Sequence, residues 1–456
     1  MKKMVEVEDK LIKEDGLGLL TATFFLAGTM AGSGVLALPM AMVGTGPAEL
    51  AMLVFFAATS AFVGIKLGQC WVILEERYPE YRGQVRDPYP SIAEKAAGKI
   101  GRFAAITCIN LCLYGAGCVF IVLIASFIKN IFDEYNLELN FGIWMVIVAA
   151  VMIPPCWLGT PNDFWPLAIG ALITTVVACV LVMVRLPMDV VDPDHCLKEI
   201  PDLNTTLIGE HSTPNFLGIA RAFSTTMFAF AGAPNFPTIQ SDMKDRRQFS
   251  ICVSIAMGVL LCIYAPMAAV GYFELGDAVK GNIVDSMCNG NVKIAVECLL
   301  LAHLISAFPI VVNPPNQFIE GVLGIPKNFT WKRVVFRSFV IVGLLFIAES
   351  LPDFGSILDL VGGSTVTLLT FVFPPFFYMR LVDMSNQSSD WEQRKASIDD
   401  CSPLLNHKIT ISLKERLFCW FVITVGIVGG VCSTGVAVYS IADSNFKMPC
   451  YIETCR

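Results

Sequence analysis

Residues 27–39 read Ala-Gly-Thr-Met-Ala-Gly-Ser-Gly-Val-Leu-Ala-Leu-Pro and lie within the first long apolar stretch of the chain. Each glycine inside a helix costs about 1 kcal/mol relative to alanine, so three glycines and a serine predict a helix that is interrupted in its middle. Residues 228–237 read Phe-Ala-Phe-Ala-Gly-Ala-Pro-Asn-Phe-Pro, and their two prolines also predict an interruption because proline lacks a backbone donor. Gly32 and Gly232 mark the two interruptions, 200 residues apart.

The sequence around both interruptions is that of a membrane protein. Of 456 residues, 55% are hydrophobic and 16% are charged, whereas soluble proteins carry about 25% charged residues. Eleven apolar stretches approach or exceed the about 20 residues that a helix needs to cross a bilayer. These predicted spans cover residues 17–43, 47–74, 103–128, 141–158, 164–184, 215–240, 250–273, 293–313, 334–350, 354–379 and 415–441. We therefore predict an all-α membrane protein with eleven transmembrane helices.

The interruptions fall in the first and the sixth predicted span. Paired interrupted segments at corresponding positions indicate two five-helix inverted repeats, with broken helices one and six, plus one extra helix. The predicted order is a cytosolic N-terminus (1–16), a first repeat (17–185), an outer loop (186–214), a second repeat (215–379), a cytosolic linker (380–413), span eleven (414–441) and an outer C-terminal tail (442–456).

Charge gives the direction of the spans. With a cytosolic N-terminus, 23 of the 32 lysines and arginines fall on the cytosolic side, as the positive-inside rule requires, so the C-terminus is predicted to be extracellular or lumenal. Asn204 begins an Asn-Thr-Thr glycosylation sequon in the predicted outer loop. The net charge of −7 and the absence of a basic stripe exclude nucleic acid as a main partner.

The interrupted helices also predict a ligand. Where span one restarts, amides near Ser33, Gly34 and Val35 form a positive helix N-terminus that suits a carboxylate. Where span six stops, carbonyls from about Phe228 to Phe230 are expected to be unpaired acceptors that suit an ammonium group. A molecule with both charges close together is an amino acid. The predicted substrate-binding residues are Thr29, Gly32, Ser33, Gly34, Phe228, Phe230 and Gly232.

Two alternatives accompany this site. The glycines of span one also suit close helix packing in a membrane, but the matching interruption in span six favours a binding site. His303, near the middle of span eight, suits a proton switch, although a neutral histidine bonded to a neighbouring helix is the alternative. Ser306, on the same helical face, could instead supply an oxygen for sodium, so the coupling ion is H⁺ or Na⁺. The sequence predicts no cofactor and no metal site.

At both interruptions and in two further segments, the chain resembles the amino acid/auxin permease family. Residues 32–39 are similar to its first-span signature, residues 89–98 to its first cytosolic loop, residues 228–244 to its sixth span, and residues 360–375 to its tenth. The resemblance extends to its proton-coupled, vesicular GABA and sodium-coupled neutral amino acid branches. It implies the two-repeat fold, a substrate at the two interruptions, ion-coupled transport of amino acids, and a disulfide between Cys196 and Cys288. Ala233 departs from several branches, which place histidine there.

The sequence therefore predicts a secondary transporter that moves amino acids by alternating access, and not an enzyme. A membrane amino acid sensor with little net flux is the alternative, and an ion channel would need a polar ring along a pore. Residues 400–405 fit an acidic-dileucine sorting pattern, so the predicted location is the plasma membrane or an endolysosomal membrane. The identity of the amino acid, the direction of transport and the oligomeric state stay open.

Overall fold

The computed structural model describes residues 16–81, 85, 87–137, 139–157, 165–191, 209–326, 328–387, 410–443, 450 and 451. Within these ranges the chain is helical, with one isolated β-bridge between Leu17 and Met243 and no named strand. The α-helices are α1 (Leu19–Met30), α2 (Leu38–Met42), α3 (Ala48–Arg77), α4 (Pro88–Glu134), α5 (Phe141–Trp157), α6 (Trp165–Val191), α7 (Phe216–Ala229), α8 (Phe236–Asp242), α9 (Phe249–Leu275), α10 (Asn291–Val322), α11 (Trp331–Ser350), α12 (Phe354–Val361), α13 (Phe373–Gln387) and α14 (Leu413–Asp443).

Helices occupy each of the eleven predicted stretches. Eight helical segments in the described residues are long and apolar enough to cross a membrane, or nine when the bent pair formed by α1 and residues 33–42 is included. The helix α5 is shorter, and α11 is not among the eight; its first turns carry Lys332, Arg333 and Arg337. The chain is thus a multi-pass, all-helical membrane protein, while the number eleven and the repeat symmetry stay predictions.

The predicted cytosolic connection between spans two and three is partly helical. Residues 89–98, expected in a cytosolic loop, form the first turns of α4, which begins at Pro88. Proline suits the first turn of a helix because the missing donor is not needed there. Tyr89 is buried, and its hydroxyl donates to Leu369 O at 2.7 Å. Gly98 has φ +69° and introduces a kink that separates this short arm from the rest of α4.

The packing places the interrupted spans at the centre of the helix bundle. The helix α1 packs against α6 and α9, and α2 packs against α7 and α9. Outside them, α10 packs against α6 and α4, and α14 packs against α7 and the π-helical turns Gly362–Val366 and Leu368–Val372. One continuous apolar core connects these contacts. Spans one and six are therefore enclosed by the helices around them.

The predicted inner end of the bundle is tied together by polar contacts. Leu17 N donates to Asp242 O at 2.8 Å, and Lys244 N donates to Leu17 O at 2.9 Å, which joins the start of span one to the end of span six. Arg246 forms an ion pair with Glu75 at the end of α3. These contacts join the inner ends of spans one, two and six.

Candidate functional site

The first interruption lies where the glycines predict it. The helix α1 ends at Met30, and a 3₁₀ turn, Ser33–Ala37, follows before α2 begins. The two halves of the span are bent by 49°. Ser33 and Gly34 are buried at the start of the turn, and Val35 N donates to Gly32 O at 3.4 Å. The amides at the start of the outer half therefore begin a new helical segment inside the protein.

The second interruption is confirmed at the predicted residues, but its carbonyls are paired. The helix α7 ends at Ala229, and a 3₁₀ turn, Ala233–Asn235, precedes α8. Ala231 N donates to Phe228 O at 3.1 Å, and Gly232 N donates to Phe230 O at 2.9 Å. The expectation of unpaired carbonyls from Phe228 to Phe230 was wrong, because the chain turns tightly enough to bond them locally. A carbonyl oxygen has two lone pairs, so each keeps room for a second donor.

The two interruptions meet. A Cβ atom on Gly34 would lie 2.6 Å from Ala229 Cα, so the backbones approach as closely as glycine allows. Tyr264 Oη of α9 lies 3.1 Å from Met30 O and 3.0 Å from Ala229 O. Phe230 is buried, with its ring centre 5.3 Å from that of Tyr264. A single hydroxyl thus lies within hydrogen-bonding distance of the last carbonyl of each half-helix.

His303 adjoins the first interruption. It is 3% exposed, and its Nδ1 lies 3.0 Å from both Ala171 O and Thr175 Oγ1 of α6. Because a carbonyl only accepts, Nδ1 carries a proton toward Ala171. The other ring nitrogen, Nε2, would lie 3.3 Å from a Cβ on Gly32. The imidazole therefore lies against the backbone of span one at Gly32.

The other predicted site residues are Thr29, Ser306 and Gly232. Thr29 Oγ1 donates to Leu26 O at 2.8 Å, and Ser306 Oγ donates to Ala302 O at 2.7 Å, so both hydroxyls bond their own helices. A Cβ on Gly232 would overlap Met30 Sδ, so a larger residue there would require Met30 to move. The backbone contact at Gly34 supports the close-packing interpretation of the glycines of span one alongside the interrupted helices.

The predicted cysteine and glycosylation sites are only partly described. Among the described cysteines, Cys288 and Cys450 are disulfide-bonded and the others are free thiols. Cys196, Asn204 and the sorting pattern at 400–405 lie outside the described residues. The Cys196–Cys288 bridge, the glycan and the sorting signal therefore stay predictions.

A cavity of about 650 Å³ opens on the predicted outer side and leads toward the interruptions. Ala37 of span one and Thr225 of span six are among its lining residues, together with Arg221, Asp353 and Asp359. Its walls come from α2, α7, α12, α14 and the turn between α11 and α12. The cavity reaches the residues just outside both interruptions.

Sequence reasoning missed three polar residues that the fold brings to this region: Tyr264, Glu49 and Asp359. Both carboxyls stand inside predicted spans two and ten, and an ionisable residue within a span indicates function by default. That signal was available for Glu49 and Asp359. Nothing local distinguishes Tyr264 from other aromatic residues of its span, because its role depends on which helices meet there.

Comparison with known proteins agrees with the geometry. The family model described as "Transmembrane amino acid transporter protein" matches residues 15–398. Amino acid transporter ANT1 of Arabidopsis thaliana is 26% identical over 378 residues, covering 78% of this chain and 83% of that protein. Amino acid transporter AVT1D of the same plant is 22% identical over 427 residues, covering 91% of this chain and 68% of that protein.

Solved structures share the fold at low sequence identity. The crystal structure of MhsT in complex with L-phenylalanine matches with a TM-score of 0.54 and 14% identity, over 93% of this chain and all of that one (100%). A manganese transporter of Eremococcus coleocola, in complex with an aromatic bis-isothiourea compound, matches with a TM-score of 0.55 and 10% identity, over 95% and 92% of the two chains. These likenesses establish the architecture alone.

Proposed function

Because the chain belongs to the transmembrane amino acid transporter protein family, we propose that it moves amino acids across a membrane by alternating access, driven by a proton or sodium gradient. The relatives are named as amino acid transporters, which supports transport and not enzymatic catalysis. The observation that carries the proposal is the meeting of the two interrupted spans, where Tyr264 lies within hydrogen-bonding distance of a carbonyl from each.

The substrate is proposed to bind with its two charges on opposite half-helices. Its carboxylate accepts from the amides of Ser33 and Gly34, where the outer half of span one begins and the helix dipole favours an anion. Its ammonium donates to the free lone pairs of the carbonyls at Phe228 and Phe230. Thr29, Gly32 and Gly232 complete the predicted site.

Alternating access fits the distribution of contacts. The predicted inner end is tied by Leu17, Arg246 and their partners, while the cavity lies on the predicted outer side. We infer a state that is open toward the outside down to Ala37 and closed toward the inside. In the inward-open state, the contacts of Leu17 and Arg246 at the inner end would be broken and the outer cavity would be closed.

The coupling ion is proposed to bind near the first interruption. His303 is the candidate for a proton, since Nε2 faces Gly32 and an imidazole changes charge near neutral pH. Ser306 is the candidate for sodium, since its oxygen keeps a lone pair while the hydroxyl donates to Ala302.

The finer features of the chain are proposals as well. We infer a cytosolic N-terminus, an outer C-terminus, a Cys196–Cys288 bridge and a glycan on Asn204, all on the basis of sequence. The plasma membrane and an endolysosomal membrane are the two proposed locations.

The test is uptake by the purified full-length chain in proteoliposomes. A panel of labelled amino acids is offered under an inward proton gradient, an inward sodium gradient, or neither. We expect at least one amino acid to accumulate under one of the two gradients, and unlabelled amino acids to compete with it.

Three outcomes contradict this proposal. Binding of an amino acid without flux would favour a sensor, and single-channel conductance would favour a channel. Accumulation that is identical with and without either gradient would leave transport but reject coupling.

A further inference from the structure

Three consecutive hydroxyl residues near the end of α7 contact carboxyls on both sides of the helix. Ser224 Oγ and Thr225 Oγ1 each lie 2.9 Å from Asp359 Oδ1 of α12. The next residue, Thr226, points to the other side, and its Oγ1 donates to Glu49 Oε1 of α3 at 2.5 Å. The outer half of span six is therefore held between two acidic side chains from spans ten and two.

The two carboxyls differ in their access to water. Asp359 lines the outer cavity together with Thr225 and Arg221. Glu49 does not line it and is 0% exposed. Its second oxygen, Oε2, has no hydrogen-bond partner among the described residues. Glu49 is thus enclosed, with one of its two oxygens unsatisfied.

No cation in the described part of the chain neutralises Glu49. The titratable or charged residues on the outer parts of the elements packed near it are Arg221 of α7, Tyr272 and Glu274 of α9, Asp359 of α12, and His211, whose ring lies 4.6 Å from that of Tyr272. None of them forms an ion pair with Glu49; the ion pairs of the described residues involve other groups. The contact from Thr226 is its one side-chain hydrogen bond in that part of the chain.

An ionised carboxylate in such a place is costly, because burial removes its hydration and a single neutral hydroxyl restores little of it. A protonated carboxyl avoids this cost. When α7 moves away from α3, water reaches the group and the ionised form becomes favourable again. Whether Glu49 holds a proton therefore depends on whether α7 is packed against it, and the reverse dependence follows from thermodynamic linkage.

The contact lies one helical turn from the substrate region. Phe230 N donates to Thr226 O at 3.1 Å, so Thr226 belongs to the last turn before the second interruption. A change in the position of Thr226 displaces the carbonyls of Phe228 and Phe230, which are proposed to hold the ammonium group. Protonation of Glu49 and occupancy of the site thus act on the same turn of helix.

We propose that Glu49 is a proton-carrying residue of the transport cycle, which takes a proton from the outer water as α7 closes onto α3 and releases it to the inner water when that contact opens in the inward-open state. The inference rests on the proposed transport function. It adds a second protonation site, on α3, to the one proposed at His303 on α10. No other reactant is needed, since one proton is gained and the same proton is released.

The experiment compares two assays on full-length Glu49→Gln in proteoliposomes, with the amino acid that the wild type accumulates best. One assay measures accumulation driven by an inward proton gradient, and the other measures exchange of labelled for unlabelled amino acid at equal pH. Glutamine keeps the size of the side chain but carries no exchangeable charge. We expect accumulation to fall by about tenfold or more while exchange stays within about twofold, since only the first needs the proton to cross.

Glu134→Gln is the matched control, because Glu134 is an exposed glutamate at the outer end of α4. We expect both of its assays to match the wild type. A second variant, Thr226→Val, removes the hydroxyl that favours the ionised form. It should move the pH of half-maximal uptake upward by about one unit, and this shift decides the matter if Glu49→Gln is inactive in both assays.

The outcomes separate this inference from the proposed function. A wild type that neither accumulates nor exchanges any amino acid contradicts the proposed function. A wild type driven by protons, with Glu49→Gln accumulating equally well, contradicts the role of Glu49 alone. The same role is overturned if only a sodium gradient drives uptake, or if Thr226→Val leaves the pH midpoint unchanged.

Discussion

Gly34 lies where the two interrupted spans come closest. A methyl group there would lie 2.6 Å from Ala229 Cα, which forces the backbone of one half-helix to move. Overpacking of this kind costs about 1–3 kcal/mol. We expect Gly34→Ala to lower the melting temperature of the detergent-solubilised protein and to reduce uptake, as measured by thermal unfolding and by the proteoliposome assay.

Gly258 of α9 provides the control for that substitution. An added Cβ meets no atom within 4 Å at this position. Alanine is the better helix former by about 1 kcal/mol, so Gly258→Ala should melt at the same temperature as the wild type or slightly above it. Equal melting temperatures for the two variants would show that the half-helices are not in contact at Gly34.

Asp285, in the loop between α9 and α10, gives a pH-dependent prediction. Burial raises the pKa of its carboxyl above the ordinary value of 3.8, while Lys293 and the hydrogen bond from Asn130 act in the opposite direction. A raised pKa in the folded state means that stability is greatest below the unfolded pKa and declines as pH rises through the folded pKa. Asp285→Asn should therefore raise the melting temperature at neutral pH, and the gain should shrink as the pH is lowered.

The asparagine keeps an oxygen that can accept from Asn130 Nδ2, now 3.1 Å from Asp285 Oδ1, so the substitution removes mainly the charge. Glu134→Gln, on the exposed end of α4, should show little change at either pH. A loss of stability in Asp285→Asn at neutral pH would mean that the ionised carboxylate is stabilising in the folded protein.

Among the helices, the kink between the arm at the start of α4 and the rest of that helix depends on Gly98. Its φ of +69° is accessible to glycine, and no atom lies within 4 Å of an added Cβ. With ψ at −162°, a side chain in this conformation costs about 1–3 kcal/mol. We expect Gly98→Ala to lower the melting temperature by backbone strain alone. Gly170→Ala, inside α6 and equally free of neighbours, should not lower the melting temperature. An equal decrease in the melting temperature of this variant would reject the strain explanation.

The positions of both interruptions could be predicted from sequence because their cause is local. Glycine at 32 and 34 and proline at 234 and 237 act on the backbone of their own segment, wherever the rest of the chain lies. The hydrogen bonds to the carbonyls of Phe228 and Phe230 could not be predicted from sequence, because they depend on how tightly the turn closes. The same holds for the 49° bend of span one, which has no counterpart above 40° in span six.

Contacts between distant segments account for the omissions. The helical arm at residues 88–97 was not apparent from the sequence, because Tyr89 bonds Leu369, 280 residues away. Thr226 and Glu49 lie 177 residues apart and meet in the fold. A single sequence shows that a buried carboxyl needs a partner without showing which residue provides it.

For the whole molecule, we expect residues at the outer and inner ends of the helix bundle to be accessible to water from opposite sides of the membrane. The cavity beside α2 is lined by Met40, whereas Ile100, just after the Gly98 kink of α4 on the predicted cytosolic side, is 83% exposed. We expect Met40→Cys to react with a membrane-impermeant thiol reagent in intact cells, and Ile100→Cys to react only after permeabilisation. The wild type measures the background from native cysteines, and the reverse pattern would invert the proposed topology.

The contacts at the predicted inner end should then control the fraction of molecules in which the outer cavity is open. Glu75 and Arg246 form a partly buried ion pair across the inner end, between α3 and the segment that follows α8. Such pairs contribute up to about 1 kcal/mol, so Glu75→Ala should favour the inward-open state by up to about fivefold and slow the labelling of Met40→Cys to a similar extent. Adding Arg246→Ala should then change the rate little, because the pair is already lost. If Glu75→Ala labels at the parent rate, the ion pair does not hold the inner side closed.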